Sequence, residues 1–177
     1  MIVTGGARGV DKYTVELARQ KGIKVVIEPP VAYRDGMMSD IDSIMHFEGS
    51  MKVCDANKTL NRKTSRTLMN SGLLQRNYHI VSGSNEIVAL GRFEKHGQIL
   101  QGGTGWTVQM AIDAKKPVSV YIDEEEKWYR YDYDSKQFKL SVFPILRKSG
   151  HTAIVGSRNI TDNMKLELRR IFRLMSD

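Results

Sequence analysis

Ile2-Val3-Thr4-Gly5-Gly6-Ala7-Arg8-Gly9-Val10-Asp11 is the stretch on which the reading of the whole chain turns. A short β-type run, Ile2 to Thr4, ends on a glycine pair. Apolar residues then return at helical spacing over 10–21, at Val10, Tyr13, Val15, Leu17 and Ala18, before Gly22. That is strand, glycine turn, helix. Residues 23–27 form a second apolar run, stopped by Pro29-Pro30, since proline cannot donate to a sheet ladder. Two strands joined through a helix lie parallel, so the opening predicts an α/β protein of Rossmann-like type, a parallel sheet flanked by helices.

The same succession recurs downstream. Residues 86–90, Glu-Ile-Val-Ala-Leu, have the compact apolar character of a central strand and meet Gly91. Residues 98–100 read as a short strand before Gly102-Gly103-Thr104-Gly105, with helix signals over 107–114, and Pro117 introduces a strand at 118–122. Residues 152–155 read as one more strand, Gly156-Ser157-Arg158 as its loop, and 161–174 as a terminal helix. Thr161 is its expected N-cap, with Met164, Leu168, Ile171 and Phe172 on one face.

The intervening segments are less regular. Residues 67–82 carry a helical pattern, whereas 35–61 are methionine-rich (Met37, Met38, Met45, Met51) and predict irregular or short-helical structure with the methionines packing. Residues 127–133 and 137–142 flank Asp134-Ser135-Lys136 and predict a β-hairpin at the sheet's margin. Its aromatics Trp128, Tyr129, Tyr131, Tyr133 and Phe138 are expected to pack a hairpin face rather than to wall a ligand.

The three glycine loops, Gly5-Gly6-Ala7-Arg8-Gly9, Gly102-Gly103-Thr104-Gly105 and Gly156-Ser157-Arg158, each lie between a predicted strand and a predicted helix. In a parallel sheet all three fall at the carboxyl edge. Glycines there let backbone approach a phosphate, while free N–H groups and the helix dipole stabilise its charge. Arg8 and Arg158 would add charge-assisted hydrogen bonds. No G-x-G-x-x-G with a following acidic residue and no P-loop occurs, which disfavours NAD-dependent chemistry.

Bulk composition sets outer limits. The chain has 177 residues, 41% of them hydrophobic, which suits one domain with one core. A single cysteine, Cys54, excludes an internal disulfide and a cysteine-based metal site, and the expected compartment is the reducing cytoplasm. No metal and no cofactor is expected. No apolar run is long enough to span a membrane, so no membrane partner is expected. A net charge of +7 favours anionic ligands, phosphates or nucleic acid, although the basic groups Arg62/Lys63/Arg66 and Arg169/Arg170/Arg173 also suit a solvated face.

On these motifs the chain resembles the SLOG superfamily, which includes the LOG-type nucleoside monophosphate phosphoribohydrolases and the DNA-processing protein DprA. Gly5-Gly6-Ala7-Arg8-Gly9-Val10-Asp11 is similar to the glycine motif as found in DprA, and residues 101–109, Gln-Gly-Gly-Thr-Gly-Trp-Thr-Val-Gln, to the LOG pattern P-G-G-x-G-T-x-x-E. Arg76-Asn77 followed by 87–90 matches the family's helix-borne Arg-Lys and the strand before its glycine loop. The resemblance covers most of 1–123 plus 152–174. It implies a single SLOG-type nucleotide-binding domain over 1–177, with the hairpin of about 127–142 as an appendage. Its ligand residues would be Gly5, Gly6, Arg8, Gly9, Asp11, Gly102, Gly103, Thr104, Gly105, Trp106, Gly156, Ser157 and Arg158, and Arg76 and Gln109 would hold the catalytic positions.

Two departures from the family pattern matter. The motif glutamate of the hydrolases is Gln109 here, and an amide cannot act as a general base or balance a cationic transition state. Asp11 and Glu86 are the carboxylates left to substitute, Asp11 being expected rather to cap or brace its own loop. Trp106 replaces a threonine and suits stacking on a base or filling space. The second departure is order: the family's G-S/T-R strand comes first, whereas Gly156-Ser157-Arg158 lies near the C-terminus. This implies a circular permutation, with 152–155 beside 2–4 in mid-sheet, or the same pairing in trans in a domain-swapped homodimer. Three functional readings stay open: binding, sensing or sequestering a nucleotide-derived ligand; hydrolysis of the N-glycosidic bond of nucleoside 5′-monophosphates; and binding of single-stranded DNA.

Overall fold

Ile2–Thr4 (β1) pairs in parallel with Val25–Ile27 (β2) on one side and with Thr152–Gly156 (β7) on the other. β7 in turn pairs in parallel with Glu86–Gly91 (β3), and β3 with Val118–Ile122 (β4). Two antiparallel strands, Lys127–Asp132 (β5) and Gln137–Ser141 (β6), extend the sheet beyond β4, in the order β2-β1-β7-β3-β4-β5-β6. The computed structural model describes residues 1–30, 40–63, 68–94, 98–144 and 150–175. The protein is therefore a Rossmann-like α/β fold, a parallel sheet with an antiparallel hairpin at its margin. β7, from the far end of the chain, fills the slot between β1 and β3.

Both faces of the sheet are covered. Along β3, Ile87 and Ala89 enter one apolar cluster and Val88 and Leu90 the other, as the two-residue period of a strand buried on both sides requires. Helices Val10–Gln20 (α1) and Asp162–Leu174 (α5) pack on one face, through Leu17, Ala18, Leu168 and Phe172. Helices Asp40–Leu60 (α2), Leu68–Ser82 (α3) and Gly102–Asp113 (α4) lie on the other, through Ala56, Ile80 and Val108. Thr161 accepts the Met164 N–H at 3.2 Å and caps α5. Among the described residues no helix is long and apolar enough to cross a membrane.

Two local expectations are corrected. Residues 40–60, expected to be irregular or short-helical, form one continuous helix, α2. Of the methionines expected to pack, Met51 is exposed, while Met37 and Met38 and the side chain of Met45 lie outside the described residues, as do Arg66 and Thr67. Residues 98–100 are not a strand but contribute one isolated bridge, Phe93 to Leu100, in the excursion that joins β3 to α4. Gln98 anchors that excursion to β6, its side chain donating to the Phe138 carbonyl at 2.9 Å.

Lys116, just after α4, holds the C-terminal end of α3. Its ammonium donates to the carbonyls of Val81 and Ser82, which the helix end leaves without intrahelical donors, and to that of Ser84 just beyond. Burial lowers its pKa from the ordinary lysine value. Lys116→Met is expected to remove about 2 kcal/mol, a fall in Tm of roughly 4–8 °C by thermal denaturation. An unchanged Tm would mean that water satisfies those carbonyls equally well.

Candidate functional site

The carboxyl ends of β1, β3 and β7 open on one cavity of about 580 Å³. From the β1–α1 loop Ala7 and Asp11 line it, from the β7–α5 loop Gly156, Ser157 and Arg158, and from α4 Gly102, Gly103, Thr104 and Trp106. Arg76 on α3 completes the wall. Close contact between backbones brings the loops together: a β-carbon on Gly156 would lie 2.4 Å from the Leu90 carbonyl oxygen and 2.8 Å from Val10 Cβ, so β7 and α1 meet only because Gly156 has none.

Asp11 ties two of the loops. Its Oδ1 accepts the Gly156 N–H at 3.1 Å, and the backbone N–H groups of Ala7 and Gly5 also donate to its carboxylate. It is buried, and burial raises its pKa from 3.8 to about 6 against the opposing pull of Arg76 and the three N–H groups. It thus braces the β7 loop as well as its own.

Arg76 is the central cation. Its side chain is buried, Nη1 donates to the Gly5 carbonyl at 2.7 Å and Nη2 to Asn77 Oδ1 at 3.4 Å. Its Nε is buried and without a hydrogen-bond partner among the described residues. Burial lowers its pKa, with Asp11 opposing the shift and Arg158 adding to it. A buried guanidinium N–H left unbonded costs about 1–3 kcal/mol, so this group is poised to gain from an acceptor.

The second anion-attracting element is the start of α4. Its N-cap residue Gln101 makes no side-chain capping bond; its amide donates instead to the Phe93 carbonyl at 3.0 Å. By helix geometry the first-turn N–H groups of Gly102, Gly103 and Thr104 have no intrahelical acceptor, and the dipole adds positive potential. With Arg76, the cations Lys63, Arg92 and Arg158 line the same space, against the carboxylate of Asp11. Arg92 is partly neutralised by Asp123 and Glu124, each at 3.6 Å.

Trp106 lines the cavity, its Nε1 donating to Asn57 Oδ1 at 2.7 Å, with the Arg62 guanidinium 4.5 Å from its ring centroid. One face of the indole is therefore occupied by protein. Arg62 also donates to the Gly102 carbonyl at 3.1 Å and the Leu100 carbonyl at 2.6 Å, and pairs with Glu94. Asn77 Nδ2 reaches the Gly103 carbonyl at 3.3 Å. The sequence motifs pointed to neither the anchoring role of Arg62 and Asn57 nor the presence of Lys63 and Arg92 in the wall.

The remaining residues of the sequence motifs stand outside the cavity wall. Gly5 is buried and Gly6 exposed, Gly105 is buried in the first turns of α4, and Arg8 and Gly9 line a neighbouring hollow. Gln109 does not line the cavity; its Nε2 donates to Asp113 Oδ1 at 2.8 Å along the helix surface. Glu86 begins β3 at the opposite edge of the sheet, buried and accepting from Thr152 Oγ1 at 2.7 Å.

No protein-family model and no curated protein matches this chain. In backbone arrangement it is similar to a crystal structure from Syntrophus aciditrophicus SB, described as a candidate molybdenum carrier protein. The TM-score is 0.50 at 13% identity, over 97% of this chain and 92% of that one. The likeness is one of fold.

Proposed function

We propose that the protein binds a nucleotide or nucleotide-derived anion in the cavity at the carboxyl edge of the sheet. The observation that carries this is Arg76, buried in the cavity wall with an unpartnered Nε, beside the uncapped N-terminus of α4. In this reading a phosphate sits against the first turn of α4 and Arg76, and the base lies toward Trp106, Leu73 and Leu74. The resemblance to the SLOG superfamily supports it, since the two glycine motifs meet at one cavity. β7 and α5 are then the family's first strand and helix, permuted to the C-terminal end of one SLOG-type domain. Binding without turnover is favoured over hydrolysis by Gln109, an amide bonded to Asp113 outside the cavity.

The similar fold described as a candidate molybdenum carrier makes molybdate, a tetrahedral dianion like phosphate, the informative competitor. Titration calorimetry with nucleoside 5′-monophosphates, inorganic phosphate and molybdate is expected to give a nucleotide Kd on the order of 100 µM or tighter, with the inorganic anions weaker. Thr104→Glu separates binding from folding. A carboxylate in the first turn of α4 suits the helix dipole, so Tm should hold or rise, while the anion should bind at least about 30-fold more weakly. Folded protein that takes up no nucleotide at millimolar concentration would overturn the reading. Molybdate binding tighter than every nucleotide would replace it with an inorganic oxyanion site.

A further inference from the structure

On the other face of the sheet, across the ridge where the β1–α1 and β7–α5 loops touch, lies a second hollow of about 380 Å³. Arg8, Lys12 and Arg158 surround it, with Glu16 as its acid and Tyr13 as its aromatic wall. The three cations are exposed, and among the described residues none of their side chains is in a hydrogen bond or ion pair. Tyr13 is fixed in place: Arg169 Nε donates to its hydroxyl at 2.8 Å, bringing a fourth cation close. Three cations thus face one carboxylate among the described lining residues, and an anion shared among the cations relieves the repulsion of that surplus.

Arg158 lines both hollows. Backbone separates the two: Gly9, which has no side chain, lies against the Ser157 and Arg158 carbonyls. We propose that Arg8, Lys12 and Arg158 form a second anion subsite, and that the ligand is a nucleotide bearing a polyphosphate. Its first phosphate sits at α4 and its terminal phosphates cross the Gly9 ridge. The nucleoside end of this assignment rests on the reading of the first cavity; the charge of the second hollow does not.

The test is calorimetry at fixed ionic strength with the mono-, di- and triphosphate of one nucleoside, inorganic tripolyphosphate and a single-stranded oligonucleotide. It is run on the unaltered protein and on the double variant Arg8→Glu with Lys12→Glu. Both side chains are exposed, so the variant is expected to melt within a few degrees of the parent. The triphosphate should bind about tenfold or more tightly than the monophosphate, and the double variant should lose that preference along with most affinity for tripolyphosphate. Equal affinity for mono- and triphosphate would overturn the second subsite and leave the first cavity standing. Tripolyphosphate binding that depends on Arg8 and Lys12, with no nucleoside contribution, would retain the subsite and reject the nucleotide. Oligonucleotide binding lost in the variant, without a triphosphate preference, would overturn the polyphosphate assignment in favour of nucleic acid.

Discussion

Gly9→Ala is expected to cost about 3–5 kcal/mol, lowering Tm by roughly 6–20 °C. Gly9 has φ 92° and ψ −129°, a region that side chains rarely enter. A β-carbon there would also lie 2.2 Å from the Ser157 carbonyl oxygen and 2.5 Å from that of Arg158. These neighbours are backbone and cannot swing aside, so the β1–α1 and β7–α5 loops must separate. The Val10 N–H to Ser157 carbonyl bond, 3.0 Å, joins the same two loops and should weaken with them. Gly22→Ala is the control: its φ is 66° but nothing lies within 4 Å of the added atom, so only the backbone term of about 1–2 kcal/mol remains. Thermal denaturation of both variants checks this. Equal losses would mean that the loops are not in contact through Gly9.

That contact bears on what a sequence can disclose. The strands and helices that β1 and α1 announce were readable because each buries one coherent pattern, as in α5, where Met164, Leu168, Ile171 and Phe172 form a single stripe. The pairing of β7 with β1 was expected only from the order of motifs in the SLOG resemblance, and its slot between β1 and β3 has no local signature in 152–155. α2 was not readable. It packs against both α3 and α4 with Val53, Ala56 and Leu60 buried, yet Phe47 and Met51 face solvent, so no single 3.6-residue stripe emerges. The strand expected at 98–100 failed for a related reason: β-type residues pair only where a neighbour runs alongside, and here Phe93 offers one bridge.

The site was legible in its loops and opaque in its side chains. Glycine spacing found the three segments that meet at the cavity, although of its glycines only Gly102, Gly103 and Gly156 line it, and 102–105 is the first turn of α4 rather than a loop. Spacing says nothing about where a long side chain ends. Gln109 follows the start of α4 by seven residues, about 10 Å along the helix axis, and it bonds one turn further on rather than toward the cavity. Asn57, in the last turn of α2, and Arg62, just beyond it, fix Trp106 and the Gly102 carbonyl across forty or more residues of chain, a tertiary relation without local signature.

The stability difference between the unaltered protein and Asp11→Asn is expected to swing by about 3 kcal/mol between about pH 4 and pH 7, toward the variant as pH rises. Burial holds the Asp11 carboxyl at about 6, above its ordinary value of 3.8. Between those values the folded chain keeps a proton that the unfolded chain has released. Stability therefore falls as pH rises through this window, and the loss is complete above about pH 6. Asparagine has no proton to lose, so its curve lacks this slope, and a fixed offset from altered hydrogen bonds to Gly156, Ala7 and Gly5 leaves the slope untouched. Denaturant melts of both proteins at several pH values measure the difference; parallel curves would mean that Asp11 titrates as an exposed acid. The same linkage reaches the cavity. An anion bound beside Asp11 disfavours its ionised form, so binding should take up a proton and weaken by up to about tenfold per pH unit above about pH 6. Calorimetry in two buffers of different protonation enthalpy reads that proton directly, and equal heats in both would place the anion too far from Asp11 to feel its charge.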